Sequence, residues 1–81
     1  MSAYVYILHS AELDRFYIGL TSKPNFRLKQ HLRGESHWSS RASDWERIFL
    51  EECSDRKSAR ALEKNIKAQG AKRFLARRAN N

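Results

Sequence analysis

The sequence predicts an α+β fold, a small three-stranded antiparallel sheet flanked by helices in the order ββαβαα. Three observations predict it. Two runs of period-two alternation, residues 3–8 and 16–20, lie close together, and a third covers 45–52. Stretches of helical period lie between and after them, and Gly34 and Gly70 end the first two. No repeat, low-complexity tract or linker interrupts the 81 residues, so one domain over 1–81 with a modest core is expected.

The first strand is Ala3 to Leu8. Val5 and Ile7 point one way; Tyr4, Tyr6 and Leu8 point the other. Neither face is charged, which predicts a central strand covered on both sides. His9 to Arg15 connects it to the second strand, where Phe16, Ile18 and Leu20 alternate with Tyr17 and Gly19. A hairpin loop of about four residues is expected to set Tyr6 opposite Tyr17, Val5 opposite Ile18 and Ile7 opposite Phe16. One face is then apolar and the other carries two phenols; a one-residue slip mixes them.

A helix follows from Pro24 to about Arg33. Thr21 and Ser22 are its candidate N-caps, and proline suits the first turn, where its missing N–H is harmless. Arg27 and His31 share one face, beside Leu28 and Leu32. Phe26 lies almost opposite, either on a second packing surface or as an exposed ring. Glu35 to Asp44 reads as a serine-rich loop around Trp38 and Arg41, with Trp38 a substrate contact or a plug at the core's edge. On the third strand, Trp45 to Glu52, Ile48 and Leu50 face one side and Trp45, Arg47 and Phe49 the other. Ser54 or Asp55 caps a long helix to about Gln69, whose stripe is Ala59, Leu62 and Ile66 with Glu63 inside it. A short basic helix over Ala71 to Ala79 carries Phe74 and Leu75.

The formal charge is +7, from 16 Lys and Arg against 9 Asp and Glu. That balance points to polyanions, nucleic acid first, although small proteins are often basic without binding one. The cations are spread over the first helix (Lys23, Arg27, Lys29 and Arg33) and the tail (Lys72, Arg73, Arg77 and Arg78). No stretch has the length of a membrane span or the order of a signal peptide, and the lone Cys53 forms no internal disulfide, so a cytoplasmic protein is expected. His9, His31, His37 and Cys53 lack the paired spacing of a zinc site.

Tyr17 on a strand, with Arg27 and His31 on the next helix, brings a phenol, a guanidinium and an imidazole within reach of one place. Phosphate-ester chemistry uses such groups. Glu63 is the most informative single residue, because a carboxylate on an apolar stripe is paired, protonated or metal-bound. Taken alone it reads first as half of an ion pair with an Arg or as a rim position, and only then as a metal ligand.

The ordered set Tyr4-Val5-Tyr6, Tyr17-Ile18-Gly19, Arg27, His31, Glu63 resembles the GIY-YIG nuclease superfamily, over Tyr4 to about Leu75. It is closest to the short stand-alone bacterial members. The resemblance implies that Tyr6 and Tyr17 line a shallow catalytic face, that Arg27 contacts the scissile phosphate and that His31 serves proton transfer. It implies Glu63 as sole protein ligand of one divalent ion, Mg²⁺ or Mn²⁺, in a single-metal hydrolysis of phosphodiesters, with DNA the favoured substrate. Two positions depart from the family pattern. Tyr4 stands where the first motif has glycine, and Phe74 and Leu75 occupy the region of a late Asn, the nearest being Asn80.

The chemistry agrees with this. Mg²⁺ keeps its waters and takes substrate oxygens, so one carboxylate suffices. Arg27 matches phosphate with its planar fork. A tyrosine of pKa about 10 is a poor base unless its phenolate is stabilised; Tyr6 is favoured as base, with His31 orienting it, and Tyr17 or His31 remain alternatives. Tyr4, Lys23, Lys29, Arg33, Trp38, Arg41 and Lys67 are the expected nucleic-acid contacts. The alternative reading is a nucleic-acid-binding module with this fold and little activity. No membrane or organic cofactor is expected, and the chain is expected to be a monomer or weak dimer.

Overall fold

A computed structural model describes residues 2–34 and 42–79. The elements are β1 (Ala3–Ser10), β2 (Arg15–Thr21), α1 (Pro24–Leu32), β3 (Glu46–Cys53), α2 (Arg56–Gln69) and α3 (Ala71–Ala79). The three strands form one antiparallel sheet in the order β2-β1-β3. The strand with no charge on either face is therefore the central one, as its composition requires.

The sheet separates two clusters. Val5 and Ile7 of β1 are fully buried on one face, with Phe16, Ile18, Leu20 and Phe49 of the flanking strands. Ala59 and Ile66 of α2 and Ala71 and Phe74 of α3 close over them. On the other face Tyr6 and Leu8 pack with Tyr17, with Leu28 of α1 and with Ala42 and Trp45. The helices thus lie on both faces, α2 and α3 behind and α1 in front.

Register differs from expectation in an instructive way. Tyr6 stands opposite Gly19, Ile7 opposite Ile18 and Leu8 opposite Tyr17. The turn has the expected four residues, but they are 11–14, and both strands extend to meet it. Asp14 closes it with φ of 49°. Moving such a turn by one residue changes pairing by two, and a two-residue shift leaves every side chain on its face. Ser10 anchors the turn: its buried hydroxyl accepts from the Leu13 N–H at 3.1 Å and donates to Asp44 at 2.5 Å.

The third strand corrects a second expectation. Ile7 pairs with Phe49 but Leu8 pairs with Arg47, so Ile48 is an extra residue, a bulge. Arg47 and Phe49 consequently face opposite sides, and Phe49 joins the rear core while Trp45 joins the front. Helix caps follow the sequence in one case. Asp55 caps α2, accepting from the Ser58 N–H at 2.7 Å, and Gly70 ends it with φ of 90°. At α1 the N-cap is Lys23, with no side-chain bond; Thr21 instead accepts from the Lys23 N–H at 3.0 Å, and Ser22 has no capping role. Phe26 is an exposed ring, 58% accessible.

Candidate functional site

The front of the sheet carries a polar cluster built from β1, β2 and α1. Tyr6 comes from the central strand and Tyr17 from its neighbour, two residues off the direct pair, with ring centroids 6.2 Å apart and planes inclined by 21°. Gly19, directly opposite Tyr6, explains how the ring is seated. A Cβ at Gly19 would lie 2.3 Å from the Tyr6 hydroxyl oxygen and 2.4 Å from the carbon bearing it. The phenol therefore lies across bare backbone, and the glycine of Tyr-Ile-Gly is a requirement of close approach rather than of backbone conformation.

α1 brings two side chains to this surface. His31 is fully buried, and its Nε2 is 3.0 Å from the Tyr6 hydroxyl. Its ring also sits 4.6 Å from that of Tyr17. Arg27, one turn earlier, hydrogen-bonds the hydroxyls of both tyrosines and donates from Nη1 to Gln30 at 3.0 Å. A guanidinium only donates, so both phenol oxygens accept from it. The Tyr6 hydroxyl then donates to Nε2, which places the imidazole proton on Nδ1. That buried nitrogen has no hydrogen-bond partner among the described residues.

Titration follows from this packing. Burial drives the Tyr6 pKa up to about 12, against the opposing hydrogen bond from Arg27. Burial and the positive charge of Arg27 lower His31 to about 4. Burial works against the charge on Arg27 as well, but its bonds to Tyr6 and Tyr17 prevail and raise its pKa. At neutral pH the permanent cation of Arg27 therefore stands beside a neutral Tyr6 phenol and a neutral His31 imidazole.

Glu63 is partly buried, its side chain 21% exposed, at the rim of the α2 stripe rather than within it. Its charge is felt at the Tyr6 hydroxyl. Its ion-pair partner is Lys67, one turn on, at 3.5 Å; the expected alternative partner, an arginine, is not the one found. Lys67 lines a shallow hollow of about 300 Å³ with Phe16, Tyr17 and Ile18. These three consecutive residues belong to both faces of β2, so the hollow runs along its free edge. α2 thus packs behind the sheet while its Glu63–Lys67 flank comes round the edge toward Tyr17.

A family model described as the GIY-YIG catalytic domain matches residues 2–77. The chain belongs to the GIY-YIG family. Its domain is therefore of a nuclease type, acting on nucleic acid, and GIY-YIG nucleases generally use divalent metal ions. Neither the curated proteins nor the solved structures contain a match to the chain. No helix among the described residues is long and apolar enough to cross a membrane.

Of the expected nucleic-acid contacts, Tyr4 is half-buried and its hydroxyl donates to Glu52 at 3.3 Å. Lys23, Lys29, Arg33 and Lys67 are exposed, whereas Trp38, Arg41 and Asn80 lie outside the described residues. Sequence reasoning missed Gln30, which holds the Arg27 guanidinium. Its signal was the three-residue spacing from Arg27 on the same helix. It also missed Ser10 and Asp44, a pair 34 residues apart with no local signature.

No group of three or more His, Cys, Asp or Glu side chains able to hold a metal occurs among the described residues. The donor set suits a hard, oxygen-seeking ion with most of its shell supplied by water and phosphate, not a closed protein cage. Glu63 could serve such an ion: it is a carboxylate whose partner among the described residues is an exposed lysine, and its charge reaches Tyr6.

Proposed function

We propose that this domain is a divalent-metal-dependent endonuclease that hydrolyses phosphodiester bonds, with DNA as substrate. The observation that carries the reading is the meeting of Tyr6, Tyr17, Arg27 and His31 on one face, within the field of a lone carboxylate, Glu63. A module that only binds nucleic acid gains nothing from a buried phenol–imidazole pair and an acidic group beside its cations. Glu63 would hold Mg²⁺ or Mn²⁺, which would supply charge neutralisation at the reacting phosphate.

The chain's own residues then divide the work. Arg27 presents its fork to the non-bridging oxygens of the scissile phosphate while keeping both phenols oriented. A Tyr6 of pKa about 12 does not rest as phenolate at neutral pH. It acts as base by accepting a proton from the attacking water as its own proton passes to Nε2 of His31, 3.0 Å away. The neutral state of His31, pKa about 4, keeps Nε2 free to receive it. A phosphate on Arg27 offsets the positive charge that depresses the imidazole, so substrate binding makes His31 a better acceptor. Tyr17 positions the phosphate or the water.

The test compares cleavage with binding on duplex, branched and single-stranded DNA, with and without Mg²⁺ or Mn²⁺. Tyr6→Phe and Arg27→Ala are expected to lower the cleavage rate by about 10²–10⁴-fold, and DNA affinity by far less. Equal losses of rate and affinity would make these residues substrate anchors. A parent protein that binds all three forms and cuts none with either metal would be a binding module.

A further inference from the structure

The cations of α2 are arranged in a way that the tyrosine cluster does not require. Arg56, Lys57, Arg60, Lys64 and Lys67 are all exposed. At 3.6 residues per turn they occupy about a third of the helix circumference. Ala59, Leu62 and Ile66 face the core, Glu63 follows them round the helix, and the five cations come next. The remaining side of α2 carries Ser58, Ala61, Asn65, Ala68 and Gln69 and no charge. Of the five, Lys67 alone is paired with a described residue, namely Glu63.

The direction of this flank is fixed by Lys67, which lines the hollow along the free edge of β2 with Tyr17. The cations therefore begin where the cluster ends and lead outward past β2. The opposite edge of the sheet has the other sign. β3 carries Glu46, Glu51 and Glu52 against one cation, Arg47, which donates to Asn25 of α1 at 3.2 Å. The α3 cation that reaches that edge is already engaged. Arg78 pairs with Glu51 at 3.3 Å and lies over the rings of Phe49 and Phe74, 5.1 and 5.6 Å from their centroids. Arg77 donates to Gln69, on the uncharged side of α2, at 3.4 Å. Ala71 and Phe74 of α3 are buried against the rear core, which leaves Arg73 and Arg77 on the side of α3 turned away from the sheet.

We infer that the phosphate backbone of duplex DNA lies along the cation flank of α2, across the free edge of β2, and not along the basic tail helix α3. The inference rests on the nuclease reading for the position of the scissile phosphate at Arg27. From Arg56 to Lys67 the flank is about 17 Å long at 1.5 Å per residue, the axial length of about five base pairs. It grips backbone, so it holds the duplex without reading sequence.

The experiment measures affinity for a 20-base-pair duplex without divalent metal, from 50 to 200 mM salt, for the parent, for Arg60→Gln with Lys64→Gln, and for Arg73→Gln with Arg77→Gln. Circular dichroism verifies that each is folded. Removing two phosphate contacts lowers the slope of log affinity against log salt by about 2, so the α2 pair is expected to lose about tenfold of the parent's salt response across that range. The α3 pair is expected to keep the parent slope. Equal slope losses in both pairs, a larger loss in the α3 pair, or no duplex binding by the parent would overturn the inference. A parallel cleavage assay with Mn²⁺ separates it from the proposed activity. A slope loss in the α2 pair with an inactive parent sustains the docking surface and removes the nuclease. An active parent whose α2 pair keeps its slope does the reverse.

Discussion

His31 contributes to the cluster at some expense to the fold. A fully buried imidazole whose pKa falls to about 4 must stay neutral to stay folded. The unfolded chain, with a histidine near 6.5, binds the proton first. Between those two values the unfolded state holds more protons, so stability rises with pH; it is fully retained above about 6.5 and lost as pH falls through 4. The expected loss is roughly 2–3 kcal/mol across that window. Urea titrations at pH 7 and pH 4 measure it, and His31→Gln should show a flatter dependence. A parent whose midpoint is the same at both values would place a charged or solvated imidazole there. The identity of this residue was legible from its four-residue spacing to Arg27, but its burial was not. Helical spacing places a side chain on a face, and only the position of Tyr6 and Tyr17 across the sheet decides that the face is closed.

At the scale of elements, α2 carries the acidic residue that decides between a nuclease and a binder. The Glu63–Lys67 contact is an i,i+4 pair with an exposed lysine, 3.5 Å apart, and such pairs contribute only about 0.3–0.5 kcal/mol. Glu63→Gln is therefore expected to leave the melting temperature nearly unchanged while cleavage and metal-induced stabilisation disappear. Melts with and without Mn²⁺, run beside a cleavage assay, check this. A variant that still cuts like the parent removes Glu63 as the metal ligand. The elements themselves were well marked in the sequence: period two for each strand, glycine at the ends of α1 and α2, and an aspartate cap on α2. What escaped were features set by pairing. Nothing within Phe16–Leu20 announces that the turn begins at Ala11, and Ile48 alternates like any strand residue although it is a bulge. Its exposure follows from its partner strand, not from its neighbours in the chain. The α1 cap failed for a similar reason, since Thr21 is still the last residue of β2 and its hydroxyl is used at Lys23.

The whole molecule divides its sheet between an apolar rear face and a front face that carries the polar cluster. The rear face is closed by α2 and α3 over fully buried Val5, Ile7, Ala59 and Ile66, and Phe74 meets Phe49 edge-on at 5.3 Å. The front face gives much of its area to Tyr6, Tyr17, Arg27 and His31, polar groups whose burial contributes little net stabilisation. Damage to the rear should then lower stability without altering the chemistry of molecules that remain folded. Phe74→Leu tests this at a position on α3, across the sheet from the tyrosines. It removes the edge-to-face pair and part of the ring's volume, and the expected loss is about 1–3 kcal/mol. Initial cleavage rates measured well below the melting temperature, scaled to the folded fraction, should match those of the parent. A fall in that scaled rate would mean that α3 packing holds the front cluster in place through the sheet, and the two faces would no longer be independent.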